Sequence, residues 1–120
     1  MYGNHRSLTK ANAQDSHHVI QHAAVKDIPG YNFLDAPTVQ LKGPSQIFGT
    51  EYQLATKVQR ASGGGNYAAE RWIGYKAMRK AGVPEVEARN IINYTDQYFH
   101  RLEVKPDTMT AIPGNRKSSK

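Results

Sequence analysis

The segment DSHHVIQH, residues 15–22, contains three of the five histidines in the chain. Histidine is the side chain best suited to proton transfer near neutral pH, and its neutral imidazole is a common metal ligand. Packing alone does not call for three histidines so close together, because histidine is only moderately frequent in protein cores. The segment therefore indicates a site that uses a metal ion, a proton-transfer step or both.

Two local structures would place these histidines differently. On a strand, His17 and His18 point to opposite faces, so a kink at the strand end is needed before one binds a metal while the other acts as general base. On a helix, His18 and His22 would share a face, as zinc ligands do in many helical sites. The segment lacks the glutamate of an HExxH motif, which disfavours a metalloprotease. A polar surface cluster or a hydrogen-bonded histidine is the alternative without chemistry.

Composition narrows the class of protein and of partner. The 120 residues suit one domain, and 16 basic against 10 acidic residues give a net charge of +6. A positive surface favours nucleic acid as partner, then an acidic protein, then an anionic membrane, although charge also serves solubility. With no cysteine in the chain, thiolate metal sites, disulfides and cysteine nucleophiles are excluded. No apolar run is long enough for a membrane span, so membrane insertion is not expected.

The N-terminal half is expected to contain short elements. Residues 1–14 show no periodicity and are predicted to form a flexible lead-in. Proline and glycine mark residues 26–37 as a loop, after which TVQL, residues 38–41, is a strand candidate. A short helix is predicted over 51–62, with Thr50 as its N-cap.

Two longer helices are predicted in the C-terminal half. The first covers 67–81, because Asn66 is a good N-cap and Gly82 is a typical C′ residue. Its predicted buried stripe consists of Ala69, Trp72, Ile73, Lys76, Ala77 and Lys80. The second covers 84–102 with Pro84 at its first position. Its predicted stripe consists of Ala88, Ile91, Ile92, Thr95, Tyr98, Phe99 and Leu102. Together they predict a helical hairpin.

Basic and aromatic side chains alternate along the middle helices, a mixture that suits contact with phosphates but also occurs on solvated helix faces. The predicted substrate contacts are Arg60, Arg71 and Lys76. The aromatic residues Trp72 and Tyr75 lie between Arg71 and Lys76 in the sequence. The glycine run before the first long helix lacks the spacing of a phosphate-binding loop, so a nucleotide site is disfavoured. No nucleophile-elbow signature is present.

Several ordered motifs together resemble one known family. They are DSHHVIQHAAVKDIPGYN, APTVQLKGPS, GTEYQLATKVQR, GGGNYAAERWIGYKAMRKAG and the terminal IPGN. They resemble the SHH toxin domain (Tox-SHH) found at the C-termini of bacterial polymorphic toxins, over roughly residues 15–115. The resemblance implies an α+β fold in which a ββα-metal finger, as in the HNH/endonuclease VII superfamily, precedes the helical hairpin. The nuclease domain would then cover 15–105, followed by a mostly flexible basic tail over 106–120.

The resemblance also implies roles for individual residues. His18 would activate water for phosphodiester hydrolysis, and His17 would bind one divalent metal ion together with Asp15 and Glu51. Magnesium is the first expectation for this ion, with Mn²⁺, Ni²⁺ and Zn²⁺ as alternatives. The family pattern has a histidine directly after this glutamate, where the chain has Tyr52. Since neutral tyrosine is a poor ligand, this departure puts the complete ligand set in question.

The implied function is a largely sequence-nonspecific DNA endonuclease acting as an antibacterial toxin. It would be delivered from the producing bacterium into the cytoplasm of a target cell, as the C-terminal domain of a larger secreted toxin. An immunity protein, expected to be acidic, would protect the producer. The alternatives are a toxin that cleaves RNA, and a weakened relative that only binds nucleic acid or the immunity protein.

Overall fold

The computed structural model describes residues 2–4, 16–41, 51–61 and 65–111. This part of the chain contains a three-stranded sheet and four helices. In chain order the elements are β1 (Tyr2–Asn4), β2 (Ser16–His18), α1 (His22–Val25), β3 (Pro37–Gln40), α2 (Glu51–Ala61), α3 (Tyr67–Lys80) and α4 (Glu85–Arg101). The predicted α+β class is confirmed.

The sheet has the order β1-β3-β2, and both pairings are antiparallel. In β3, Thr38 lies opposite His18 and Val39 lies opposite His17. The pairing continues one residue beyond β2, because the Val19 N–H donates to the Pro37 carbonyl at 3.1 Å. The central strand β3 therefore fixes the register of the two histidines.

Strand β1 differs from the expected flexible lead-in. Its three residues pair with the other edge of β3, where the Thr38 hydroxyl donates to the Gly3 carbonyl at 3.1 Å. The Tyr2 ring packs edge-on against Tyr94 of α4, with centroids 5.5 Å apart. A three-residue strand is too short to show a period of two, so only its tertiary partners reveal it.

Helices α3 and α4 begin and end close to the predicted residues. Asn66 caps α3, since its side chain accepts a hydrogen bond from the Ala69 N–H at 2.8 Å. Gly82 has a φ of +98°, the left-handed conformation that ends a helix. Pro84 is the N-cap of α4 and not its first helical residue. Six of the seven predicted stripe residues of α4 are buried, and Leu102 is half-buried.

Of the six predicted stripe residues of α3, only Ile73 and Ala77 are buried. Trp72 is 56% exposed, Lys80 is exposed, and Ala69 and Lys76 are half-buried. The full set of buried side chains is Tyr67, Glu70, Ile73, Gly74, Ala77 and Met78. The buried face is rotated by about one residue, or 100°, around the helix axis. The rotation follows from packing that the sequence does not show, because Gly74 lies against the Val19 carbonyl and Glu70 Oε1 lies 3.4 Å from the Gln21 amide.

Two hydrophobic clusters form the core. One joins β3 to α2, α3 and the start of α4, and it consists of Val19, Val39, Leu41, Ala55, Ala77, Met78, Ala81, Val83, Ala88, Ile91 and Ile92. The other joins α1 to the end of α4, and it consists of Ile20, Ala24, Val25, Ala36, Tyr67, Tyr98, Phe99 and Val104. Val19 and Ile20, the two residues after β2, each contribute to a different cluster, so the strand end is held between both.

Residues 106–111 differ from the predicted flexible tail. The first N–H groups of α3, at Tyr67 and Ala68, donate to the carbonyls of Thr108 and Pro106, both at 2.9 Å. These N–H groups have no partner within the helix, so the segment supplies one from outside it. The Ala111 N–H also bonds the Ala24 carbonyl at 2.9 Å. The rest of the predicted tail, 112–120, lies outside the described residues.

Candidate active site

The two adjacent histidines lie at the end of β2, as the strand interpretation predicts. The helical alternative is wrong, because α1 begins only at His22 and His18 precedes it in a strand. The backbone bends at Val19 and Ile20, after both histidines. The imidazoles of His17 and His18 therefore leave the extended backbone on opposite sides.

His17 is on the buried side, with only 5% of its surface exposed. Burial, together with the neighbouring charge of His18, lowers the pKa of His17 to about 4. The imidazole is consequently neutral at pH 7. A neutral imidazole is the form that binds metal ions, since a ligand must offer a lone pair.

His18 is half-buried, and one of its ring nitrogens is oriented by the backbone. Its Nε2 lies 3.2 Å from the Phe33 carbonyl oxygen, and the two rings are 4.5 Å apart between centroids. Because a carbonyl oxygen can only accept, this hydrogen bond requires the proton to be on Nε2. In the neutral ring the lone pair is then on Nδ1, which is the atom able to take a proton from water.

His22 lies close to this pair although it belongs to the next element. Its ring centroid is 6.5 Å from that of His18 and 5.0 Å from that of Phe33. Its Nδ1 lies 3.2 Å from the Tyr31 hydroxyl, so its hydrogen-bond partner is Tyr31. Burial raises the pKa of Tyr31, which keeps this hydroxyl protonated at neutral pH.

The loop between α1 and β3 brings these aromatic residues to the histidines. It turns at Gly30, whose φ is +85° and where a Cβ would lie 3.0 Å from the Leu102 side chain. Tyr31 then stacks on Phe99 of the core, with centroids 6.2 Å apart. The loop is thus anchored to α4, and Phe33 is presented to His18 from a fixed support.

Buried polar side chains hold the backbone behind His18. The Gln59 side-chain amide, from α2, donates to the carbonyls of His18 at 3.1 Å and Val19 at 3.2 Å. Gln21 donates to the Gln59 carbonyl at 2.9 Å and lies 3.4 Å from Glu70 Oε1. These bonds satisfy carbonyls that face away from the sheet partner, and they fix the position of the strand end.

Gly74 allows α3 to approach the same backbone. A Cβ at this position would lie 2.4 Å from the Val19 carbonyl oxygen, so any larger residue must displace the helix or the strand. Gly74 and Gln59 were not among the predicted site residues. Both lie within motifs of the family resemblance, but their partners His18 and Val19 are distant in sequence, so no local pattern indicates their roles.

The buried imidazole of His17 is neutral, which is the form that a metal ligand must have. Among the described side chains, no three histidine, aspartate or glutamate residues lie together as a metal-binding cluster. The two other predicted ligands are outside the described part, Asp15 entirely and Glu51 as regards its side chain, and so is the side chain of Tyr52.

The predicted substrate contacts lie on the helices. Arg71 of α3 forms a salt bridge through its Nε with Asp96 of α4, at 2.9 and 3.0 Å from the two carboxylate oxygens. The Nζ of Lys76 lies 5.6 Å from the centroid of the Trp72 ring. The side chain of Arg60 is outside the described part of the chain. Arg71 lines a groove between α3 and α4 that none of the histidines 17, 18 and 22 lines.

A small α+β domain with paired histidines at a strand end is consistent with the HNH superfamily of nucleases. Residues 11–100 match Tox-SHH, the HNH/Endo VII superfamily toxins with a SHH signature. Since the match spans most of the 120 residues, the chain belongs to the Tox-SHH family. This membership implies a nuclease toxin whose target is nucleic acid and which is delivered into target cells.

No curated protein and no solved structure matches the chain. Within the ranges that the structure covers, no helix has the length and apolar character needed to cross a membrane.

Proposed function

We propose that the domain is a metal-dependent, largely sequence-nonspecific DNA endonuclease that acts as an antibacterial effector. The observation that carries the proposal is the orientation of His18 at the end of β2. Because the Phe33 carbonyl accepts from Nε2, the lone pair of the neutral ring is on Nδ1, and this supports proton transfer at that atom. General bases of this kind must lie at a fixed position with their basic nitrogen defined.

In the proposed reaction, His18 Nδ1 removes a proton from a water molecule. The water oxygen attacks phosphorus in line with the bond to the 3′ oxygen, and that bond breaks. The Phe33 carbonyl stabilises the imidazolium that forms, because it continues to accept from Nε2. Gln59 keeps the His18 backbone in place during the proton transfer.

The metal ion would be held by His17 together with Asp15 and Glu51. When bound, it would supply positive charge to the developing charge on the leaving oxygen. Mg²⁺ is the first candidate, and Mn²⁺, Ni²⁺ and Zn²⁺ are the others. The neutral state of the His17 ring supports this role. Since His17 and His18 leave the strand on opposite sides, the role also requires the strand end to turn on metal binding so that both rings serve one site.

Contacts to phosphates would hold the DNA without reading its sequence. Arg60, Arg71 and Lys76 are the proposed contacts, because they carry positive charge on α2 and α3. Phosphates are the same at every step of the duplex, so binding through them gives little preference for sequence. The net charge of +6 supports both the attraction to DNA and an acidic immunity protein as the protective partner.

Cleavage of supercoiled plasmid by purified protein tests the proposal. The protein is first dialysed against EDTA and then given Mg²⁺, Mn²⁺, Ni²⁺ or Zn²⁺ singly. At least one ion should produce nicked and linear DNA, and excess EDTA should stop the reaction. Sequencing of the ends should show no strong site preference.

A structured RNA incubated under the same conditions separates the two nucleic acids. Cutting of RNA but not of DNA would replace the proposed substrate. Absence of cutting of either substrate with every ion, or cutting that persists in EDTA, would contradict a metal-dependent nuclease.

A further inference from the structure

The single tryptophan of the chain lies on the outer face of α3, with 56% of its surface exposed. Tryptophan is rarely left in water to this extent, because burying its large ring is strongly favourable. The helical pattern placed Trp72 in the core, and the structure turns it outward. A role other than packing therefore has to be considered for this residue.

Trp72 does not stand alone on the surface. Tyr75 lies one turn further along α3, and the two rings stack with centroids 5.6 Å apart and planes inclined by 13°. Residues three apart on a helix share a face, so the backbone itself sets this arrangement. Stacking restricts the rotation of both rings, and the pair therefore offers a preorganised flat aromatic surface.

The aromatic pair forms one wall of a groove of about 520 Å³ between α3 and α4. The residues that line it are Arg71, Trp72, Tyr75, Arg89, Ile92 and Asn93. Asn93 adds an amide able both to donate and to accept hydrogen bonds. The groove thus combines aromatic rings, an amide and two guanidinium groups.

The positive groups of the groove are able to contact an anion without breaking buried interactions. The salt bridge of Arg71 to Asp96 uses the Nε, while its two Nη atoms carry four further N–H donors. Arg89 pairs with Glu85 at 2.6 Å, but both side chains are more than half exposed, so the pair contributes little. A phosphate could therefore compete with Glu85 for Arg89.

Lys76 places a third positive charge beside the rings. Its Nζ lies 5.6 Å from the centroid of Trp72, a weak contact at an exposed site. The lysine side chain is long and flexible, so an aromatic ligand could displace the ammonium group from the ring. The ammonium group would then remain close enough to contact a phosphate attached to that ligand.

We propose that the Trp72–Tyr75 groove binds an unpaired nucleobase of a DNA strand, with the base stacked on the indole and Lys76, Arg71 and Arg89 on the adjacent phosphates. Base stacking on aromatic side chains, combined with positive charges along the backbone, is how proteins bind single strands. In an intact duplex both faces of each base are already covered by neighbouring bases. The groove consequently selects single-stranded or locally opened DNA.

This inference rests on the proposed nuclease function, and it specifies the substrate as DNA with unpaired bases. The two claims are tested separately by working with the His18→Ala protein in EDTA, where cleavage does not occur. Because Trp72 is the only tryptophan, intrinsic fluorescence reports directly on the groove. The probe is a short oligodeoxythymidylate, compared with a duplex of equal length.

We expect saturable quenching of the Trp72 fluorescence by the oligodeoxythymidylate and clearly weaker quenching by the duplex. In a binding assay with a labelled single strand, Trp72→Leu should weaken affinity by about 10- to 100-fold, and Trp72→Phe should restore most of it. Lys76→Gln should make the slope of log affinity against log salt concentration less steep, by the amount expected for the loss of about one phosphate contact. Val86→Ala, which shortens an exposed apolar side chain on α4, is the matched control and should bind like the parent protein.

Absence of quenching by the single strand, equal affinity for strand and duplex, or unchanged affinity of Trp72→Leu would overturn the inference. Plasmid cleavage by wild-type protein in the presence of any of these results would leave the nuclease function standing without the groove. Quenching with no cleavage under any metal would do the reverse, since the groove would bind single strands in a domain that does not cut.

Discussion

The end of β2 and the groove between α3 and α4 hold His18 and Trp72 in contrasting ways. His18 is supported from behind by the buried Gln59 amide and from the side by the Phe33 carbonyl. Trp72 lies on the helix surface, where it stacks on the neighbouring Tyr75 and has the Lys76 ammonium 5.6 Å from its ring centroid. A proton-transfer atom must be placed to within a fraction of an ångström, whereas a stacking surface tolerates small displacements.

This contrast predicts that changes behind β2 alter folding and chemistry together, while changes in the groove alter only binding. The two regions also share helix α3, whose buried face carries Gly74 and Glu70 and whose outer face carries Trp72 and Tyr75. Variants on opposite faces of this one helix therefore test the contrast directly.

The largest loss of stability is expected for Gln59→Ala. The change leaves the part-buried carbonyl of His18 and the buried carbonyl of Val19 without the amide donor. Since a buried carbonyl left without a donor costs about 1–3 kcal/mol, the two together should cost about 2–6 kcal/mol at most. Urea denaturation measures it, and plasmid cleavage should fall as well. Gln97→Ala, on the exposed face of α4, should lie within about 0.5 kcal/mol of wild type. Equal losses of unfolding free energy for Gln59→Ala and Gln97→Ala would show that the Gln59 amide does not stabilise the strand end.

Acid should destabilise the metal-free domain through His17. The folded-state pKa of about 4 is below the ordinary histidine pKa of 6.5, so the unfolded chain binds the proton first as pH falls. The stabilisation is complete above pH 6.5 and is lost as pH falls towards 4, by about 3 kcal/mol in total. Denaturant titrations in EDTA across this range measure the loss.

His17→Gln removes the titrating ring and should flatten the pH dependence of stability between pH 6.5 and 4. His100→Gln, at an exposed position of α4, should retain it. A slope that survives in His17→Gln would show that another group is responsible.

Gly74→Ala tests the close approach of α3 to the β2 end. Helix propensity alone would make alanine more stable by about 1 kcal/mol. The Cβ at 2.4 Å from the Val19 carbonyl should reverse the sign and destabilise the domain by about 1–3 kcal/mol. Thermal unfolding distinguishes stabilisation by helix propensity from destabilisation by the steric contact. Ala68→Gly, at an exposed position of α3, measures the propensity difference between alanine and glycine without that contact. A stabilised Gly74→Ala would show that the strand end is not tightly held.

The smallest effect on stability is expected in the groove. Trp72→Leu removes a ring that contributes little to the core, so the unfolding free energy should change by no more than about 0.5 kcal/mol. Phe99→Leu, at a fully buried position of α4, should cost about 1–3 kcal/mol in the same assay. Comparable losses for the two would mean that Trp72 is part of the core.

Local signals were sufficient to predict helices α2, α3 and α4, whereas α1 was not predicted as a separate element. Asn66 and Gly82 mark the ends of α3, and the regular apolar spacing of α4 identifies its buried face. The extended histidine pair was one of two interpretations of its segment, and the family resemblance favoured it. These features depend on neighbours within a few residues, so they are visible in the sequence.

Features that depend on distant neighbours were not predictable. The buried face of α3 is set by the contact of Gly74 with Val19, which are 55 positions apart in the numbering. The apolar spacing instead placed the large side chain of Trp72 on the buried face, so the predicted face was wrong. The position of Phe33 beside His18 depends on a loop that turns at Gly30 and is anchored on α4. A local sequence pattern does not indicate such contacts, because they form only when distant parts of the chain come together in the folded protein.

Plasmid cleavage by His18→Ala, compared with His100→Ala under the metal that best supports wild-type activity, tests the central claim most directly. His18 is half-buried and is not part of either core cluster, so the variant should keep the wild-type melting temperature. Its cleavage rate should fall by about 10²- to 10⁴-fold, while His100→Ala cuts normally. Cutting by a folded His18→Ala protein at the wild-type rate would contradict the role of His18 as the general base.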